Sequence, residues 1–105
     1  MSDVKERERS QKWQRRVEKI VNELEKQDVR KILLFGSRAR GDYVKNSDID
    51  LAIDGDFTPR QKRKIKEMVD ELSGLYSVDT VFFDEISPEF RKKIESEGVV
   101  LYEKE

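Results

Sequence analysis

Residues 32–53, ILLFGSRARGDYVKNSDIDLAI, constrain this chain more than any other stretch. A continuous apolar run, Ile32-Leu33-Leu34-Phe35, stops at Gly36-Ser37, and a polar, basic segment follows to Ser47. The chain then alternates: Asp48, Ile49, Asp50, Leu51, Ala52, Ile53. A short apolar run bounded by glycine reads as a strand buried on both faces. The alternation reads as a second strand, in which side chains two apart share a face. Asp48 and Asp50 therefore project together, while Ile49, Leu51 and Ile53 bury the opposite face, and Ala52 leaves room beside the acids. Aspartate has poor strand propensity, and two carboxylates held side by side repel unless something positive lies between them. A divalent cation is the usual solution. A solvated polar strand face is the plainer alternative, but it leaves this pattern without a reason.

The remaining elements follow from spacing. Residues 1–9 are polar and expected to fray. Trp13, Val17, Ile20, Val21 and Leu24 fall on one face of a helix spanning residues 10–27; Trp13 lies on that stripe and reads as packing. The first strand covers Val29–Phe35 and the second Asp48–Asp54. Between them, Ser37 to Arg40 reads as a short helical turn with Ser37 as its N-cap. Thr58-Pro59-Arg60-Gln61 opens the next helix, with Thr at the cap, Pro at the first position and Gln closing a capping box. Its stripe is Ile65, Met68, Val69 and Leu72, and Gly74 ends it. Tyr76–Phe83 is a third strand, carrying Asp79. Ser87-Pro88 starts a helix with Phe90 and Ile94 inward, Gly98 stops it, and Val99–Tyr102 is a fourth strand. Strands separated by helices predict an α/β (α+β) fold, a small mixed sheet of about four strands with helices packed on it. Residues 1–105 read as one domain.

Composition narrows the chemistry. Charged residues make up 43% of the chain, yet 22 basic and 23 acidic side chains leave a net charge of −1. That balance gives no general argument for nucleic-acid binding, and direct nucleic-acid binding is not expected. There is no Cys and no His, which excludes disulfides, thiolate zinc sites, imidazole bases and thiol nucleophiles. A metal must be held by oxygen, which favours Mg²⁺ or Mn²⁺. No apolar run is long enough to span a membrane and no signal-peptide core is visible, so a cytoplasmic protein without a membrane partner is expected.

Gly36-Ser37 ends a buried strand where backbone could approach a ligand closely and bind phosphate. Gly36 and Gly41 frame four residues, as in a P-loop, but Asp42 and Tyr43 stand where that loop needs Lys and Ser/Thr. Taken alone, the dipeptide reads as a strand-ending glycine with a capping serine. Asp79 could reach the acidic pair if its strand neighbours the second; Asp84, in a strand-ending turn, is the alternative. Arg38, Arg40 and Lys45 could neutralise phosphate charge. A second basic group, Arg60, Lys62, Arg63, Lys64 and Lys66, crowds the start of a helix, where cations oppose the macrodipole; a solvated face is the favoured reading.

Gly36-Ser37, ten intervening residues, then Asp48-Ile49-Asp50 resembles the GS-x₁₀-D-x-D signature of the polymerase-β-like nucleotidyltransferases. The fuller GSRARG…SDIDL is similar to the minimal nucleotidyltransferases (MNT), antitoxins of HEPN/MNT toxin–antitoxin pairs. The resemblance covers about residues 29–104. It implies that Gly36 and Ser37 grip a nucleoside triphosphate, with Arg38, Arg40 and Lys45 as further nucleotide contacts. It implies that Asp48 and Asp50 bind two Mg²⁺ ions, with Asp79 completing the triad and helping to deprotonate the acceptor hydroxyl. Relatives often place an arginine between the second glycine and the SDIDL strand; here that place holds Lys45, a point charge in place of a fork.

The implied reaction is transfer of AMP from ATP to a tyrosine of a HEPN ribonuclease encoded by a neighbouring gene, which inactivates that toxin. A length of 105 residues leaves no room for a second, acceptor-holding domain, which favours a protein acceptor supplied by the partner. Two other readings stand beside it. One is an antitoxin acting by contact alone; the other is nucleotidyl transfer to a small molecule or RNA with a separate substrate-binding subunit.

Overall fold

The computed structural model describes the backbone of residues 2–105 and the side chains of residues 12–105. The first helix, α1 (Ser2–Leu24), buries Trp13, Val17, Ile20, Val21 and Leu24. It begins well ahead of Ser10, because the Lys, Glu and Arg of residues 5–9 are good helix formers; the fraying expected for residues 1–9 is not seen in the described backbone, and Met1 lies outside it. A 3₁₀ turn over Glu25–Gln27 closes it, and Asp28 reverses the chain at φ 59°.

Four strands follow: β1 (Lys31–Phe35), β2 (Ile49–Asp54), β3 (Val78–Phe82) and β4 (Val99–Glu103). The sheet order is β3-β2-β1-β4. β1 runs antiparallel to both β2 and β4, and β2 runs parallel to β3. A parallel pair needs a crossover, supplied by α3 (Pro59–Leu72). The capping box forms as the sequence predicts: the Gln61 amide donates to Thr58 Oγ1 at 3.1 Å and the Thr58 amide to Gln61 Oε1 at 2.8 Å. The remaining helices are the short α2 (Ser37–Arg40) and α4 (Pro88–Glu97).

The sheet is covered unequally on its two faces. Ile32, Leu34, Ile49, Leu51 and Ile53 join the stripes of α1 and α3 in the larger cluster, with Ile65 and Val69. Leu33 and Ala52 point the other way, against Phe83 and Ile94. Alternation in β1 and β2 thus serves two cores, as a doubly covered strand requires. The space beside Ala52 is not left open: this residue is fully buried, in the cluster that holds Ile94 of α4.

Several boundaries differ from the sequence reading. Val29 is buried but precedes β1. Asp48 lies just before β2, while the Ile49 amide donates to the Ser77 carbonyl at 2.9 Å and starts the pairing with β3. Phe83 leaves β3 for a 3₁₀ turn. Phe90 is not inward: it is 40% exposed and meets Phe35 edge-on at 5.9 Å. Val99 and Val100 are also half exposed, since β4 is an outer strand.

Candidate active site

The site is assembled at one end of β1, β2 and β3. Phe35 pairs with Asp50 across β1 and β2, and Asp50 pairs with Asp79 across β2 and β3. Residues directly opposite in a sheet point the same way, so two carboxylates remote in sequence become neighbours. Asp48, two residues before Asp50, adds a third. The Asp50 carboxyl is pushed up to about 6 from its ordinary 3.8. Burial is the main cause, followed by the charges of Asp79 and then Asp48, with Arg40 opposing. Asp84 is drawn elsewhere: Lys62 Nζ donates to both its oxygens at 2.9 Å and to Glu85 at 3.1 Å. Register therefore brings Asp79, not Asp84, to the pair.

Gly36 follows β1 at φ 76°, ψ −157°, a conformation open essentially only to glycine. A Cβ there would collide with Asp50 Oδ2. Gly36, and not Ser37, is the N-cap of α2, and no side chain caps it. Its carbonyl accepts from the Ala39 and Arg40 amides, which leaves Ser37 as the first residue of the turn. The glycine thus lets the backbone pass against a carboxylate. Arg40 stays on this side, bonded weakly to Asp42 (3.4 Å) and to Glu97 at the end of α4 (3.5 Å).

Two of the basic candidates are not gathered here. Arg38 is buried, only 6% exposed. Its Nε and Nη2 donate to the Ser47 carbonyl at 3.1 and 2.9 Å, and Nη2 reaches the Lys45 carbonyl at 3.5 Å. The guanidinium carbon lies 4.9 Å from the Trp13 ring centre and 4.7 Å from that of Tyr43. Arg38 therefore ties α1 to the loop that delivers Asp48. Lys45 is exposed and lines a groove with Lys12, Tyr43, Asn46, Leu75 and Tyr76. The Ser47 hydroxyl accepts from the Val44 amide at 2.9 Å and closes the same loop. The local pattern does not announce this clamp, because the Trp13 ring comes from α1, far back in the chain, and nothing in the loop marks Tyr43 as its partner. Of the second basic group, Lys62 and Lys66 stand over Phe82, at 5.4 and 5.8 Å, which gives them a structural role. Arg60, Arg63 and Lys64 are exposed.

The family model described as "Polymerase beta, Nucleotidyltransferase" matches residues 18–105. The chain belongs to the polymerase-β nucleotidyltransferase family. This nucleotidyltransferase is 36% identical over 80 residues, 70% of its length, to a Methanocaldococcus jannaschii protein named "Putative protein adenylyltransferase MJ0604", of which 79% is covered. A solved structure described as a "putative minimal nucleotidyltransferase" has a TM-score of 0.73 at 24% identity, covering 86% of this chain and 93% of that one. The complex of a tri-AMPylated Shewanella oneidensis HEPN toxin with its MNT antitoxin contains a similar chain, with a TM-score of 0.64 at 21% identity, covering 88% and 73%. At those identities the two structures show the shared fold, a four-stranded mixed sheet with four helices.

The donor set of this nucleotidyltransferase fits Mg²⁺ or Mn²⁺. With no His and no Cys the available donors are oxygens, and hard cations take oxygen ligands. Asp48, Asp50 and Asp79 would hold the ions. Among the described residues the three do not close into a preformed cage, yet two of them raise the proton affinity of the third. That uncompensated charge is what a cation relieves.

The Arg38 clamp is testable by itself. Arg38→Lys keeps the charge but loses the fork and the planar stack. It is expected to destabilise the fold by about 1.5–3 kcal/mol, the range for hydrogen bonds to charged groups. Urea denaturation measures this, and an unchanged midpoint would show that the loop holds its own shape.

Proposed function

We propose that this chain is a metal-dependent protein adenylyltransferase that moves AMP from ATP to a tyrosine hydroxyl of a HEPN-type ribonuclease toxin and acts as its antitoxin. The carrying observation is the register pair Asp50–Asp79, with Asp48 and Gly36 at the same end of the sheet. The name of the M. jannaschii relative and the AMPylated toxin in the similar complex support the choice of AMP and of a protein acceptor.

In this reading the acceptor oxygen attacks the α-phosphorus of ATP, the bond from that phosphorus to the bridging oxygen breaks, and pyrophosphate leaves. Bound Mg²⁺ supplies Lewis-acid stabilisation of the attacking and leaving oxygens. The chain's own residues do the rest. Gly36 lets the backbone approach the triphosphate, Ser37 offers a hydroxyl and an amide, and Arg40 places a cation beside Asp50. Asp79 takes the acceptor proton. Arg38 holds the loop that sets Asp48 and does not touch the nucleotide.

The test mixes this protein with the product of its neighbouring gene, Mg²⁺ and ATP, and measures intact masses. A gain of one or more AMP units on the neighbour is expected. The enzymatic reading is overturned if the neighbour stays unmodified yet is inhibited equally well by the Asp48→Asn/Asp50→Asn protein.

A further inference from the structure

The second apolar layer of the sheet does not close at the active-site end. Leu33 and Phe35 share one face of β1, and Phe90 and Ile94, four apart, share one face of α4. Leu33 and Ile94 are buried together, each 1% exposed. One step nearer the carboxylates the layer opens: Phe35 is half-buried and Phe90 is 40% exposed. Their rings meet edge-on, with centres 5.9 Å apart and planes at 83°. Among the described residues Phe90 is the one aromatic side chain left exposed. A lone apolar side chain on a surface needs no explanation; two rings in contact at the rim of a carboxylate cluster do.

The sheet fixes where the rings stand. Phe35 is directly opposite Asp50 on one side, and Asp79 is directly opposite Asp50 on the other. All three lie on the face that carries Leu33 and Ala52. Neighbouring strands are about 4.8 Å apart, so Phe35 is one strand from Asp50 and two strands, on the order of 10 Å, from Asp79. Gly36, against which the Asp50 carboxylate packs, is the next residue after Phe35. The far end of α4 meets a cation: Glu97 accepts from Arg40 Nη1 at 3.5 Å, and the charge of Arg40 acts on Asp50. At about 1.5 Å per residue, Phe90 and Glu97 are on the order of 10 Å apart along the helix. One helix thus holds an aromatic ring near one end and an arginine at the other, both beside Asp50.

We propose that the Phe35–Phe90 pair is the platform on which the base of the nucleotide stacks, and that it makes the site select purine over pyrimidine triphosphates; the proposal rests on the adenylyltransferase reading and names what holds the base. A nucleoside triphosphate is divided as α4 is, with a flat, weakly polar base at one end, phosphates at the other and a ribose between. Bases stack on aromatic side chains whatever their sequence identity, with preferences set by stacking strength. A purine covers more ring area than a pyrimidine and makes more dispersion contacts. Neither phenylalanine carries a hydrogen-bonding group, so the pair reads the size of the base and not its edge. The ring of an acceptor tyrosine does not suit this place. That ring is bonded directly to the hydroxyl that must reach Asp79, and Phe35 is two strands away from Asp79.

The test titrates the full chain, with Mg²⁺, against ATP, GTP, CTP, UTP and inorganic tripolyphosphate, which has the charges and no base. ATP and GTP are expected to bind several-fold tighter than CTP and UTP. Phe90→Ala is expected to weaken ATP about tenfold or more, the scale of one base–aromatic stack, to level purines with pyrimidines, and to leave tripolyphosphate unchanged. Phe90→Leu keeps an apolar contact with Phe35 but has no ring, and is expected to behave like the alanine variant; Phe90→Trp is expected to restore ATP affinity. Circular dichroism confirms the fold of each. The platform is overturned if leucine restores ATP binding as well as tryptophan does, if Phe90→Ala weakens ATP and tripolyphosphate alike, or if it leaves ATP binding untouched. AMP transfer to the neighbouring gene's product with an unchanged KM for ATP in Phe90→Ala also overturns the platform and leaves the reaction standing. Phe90-dependent ATP binding with no transfer to any acceptor supports the platform and overturns the reaction.

Discussion

Asp50→Asn is expected to lower AMP transfer by about 10³-fold or more while making the metal-free fold more stable at neutral pH. The two effects have one cause. A charged carboxylate here is held, partly buried, against Asp79 and Asp48, a poor arrangement for the empty fold and a good one for binding cations. Loss of a metal ligand removes several kcal/mol of transition-state stabilisation, and each 1.36 kcal/mol is about tenfold in rate. For stability the sign follows from the raised pKa. Asp50 contributes stability that is fully present below 3.8 and is lost as pH rises through about 6. Asparagine carries no charge and loses nothing over that window. Asp50 is only half-buried, so solvent screening reduces the difference at pH 7.5 to about 1–2 kcal/mol, or roughly 5–10 °C in Tm for a domain of this size. Thermal melts of both proteins from pH 4 to 8 in the presence of a chelator measure it. A variant less stable than wild type at pH 7.5, or a difference that does not grow between pH 4 and 6, would show that the acids are not strained by one another.

Gly36→Ala is expected to lower activity sharply and to destabilise the fold, whereas Gly41→Ala does only the second. Both glycines have positive φ, 76° and 90°, where any side chain is strained by about 1–3 kcal/mol. They differ in what a Cβ would meet. At Gly41 there is nothing within 4 Å, while at Gly36 the Asp50 carboxylate stands in the way. Alanine at 36 must displace a proposed metal ligand or the backbone proposed to approach the triphosphate. A loss of at least about 10²-fold is expected, the scale on which a misplacement of about 1 Å is felt. Gly41→Ala should keep most of its rate after correction for folded fraction. Measuring kcat with the folded fraction separates the two effects, and equal losses in the two variants would refute a special role for Gly36.

The acidic pair and the strands around it were legible because period-two alternation is a local property: Asp48, Ile49, Asp50 and Leu51 declare their faces within four residues. The Thr58 capping box was legible for the same reason. What escaped depended on long-range geometry. Asp79 and Asp84 could not be separated by spacing, since the choice rests on the parallel register across α3; the structure sets Asp79 beside Asp50 and gives Asp84 to Lys62. Arg38 looked like Arg40 in a basic loop. Its burial depends on a ring from α1 and a ring from Tyr43, neither of which the local pattern announces. Ser37 reads as a cap by residue type, but the positive φ of Gly36 moves the cap one position earlier.

The clamp on Arg38 also turns the first helix into an optical instrument. Trp13 is the single tryptophan of the chain, and it is packed against the guanidinium that grips the Ser47 carbonyl. Its emission belongs to one place in the molecule, and that place is mechanically linked to the segment presenting Asp48. Repositioning of that segment as ligands arrive would be reported by unlabelled protein, in real time, from the far end of the arginine.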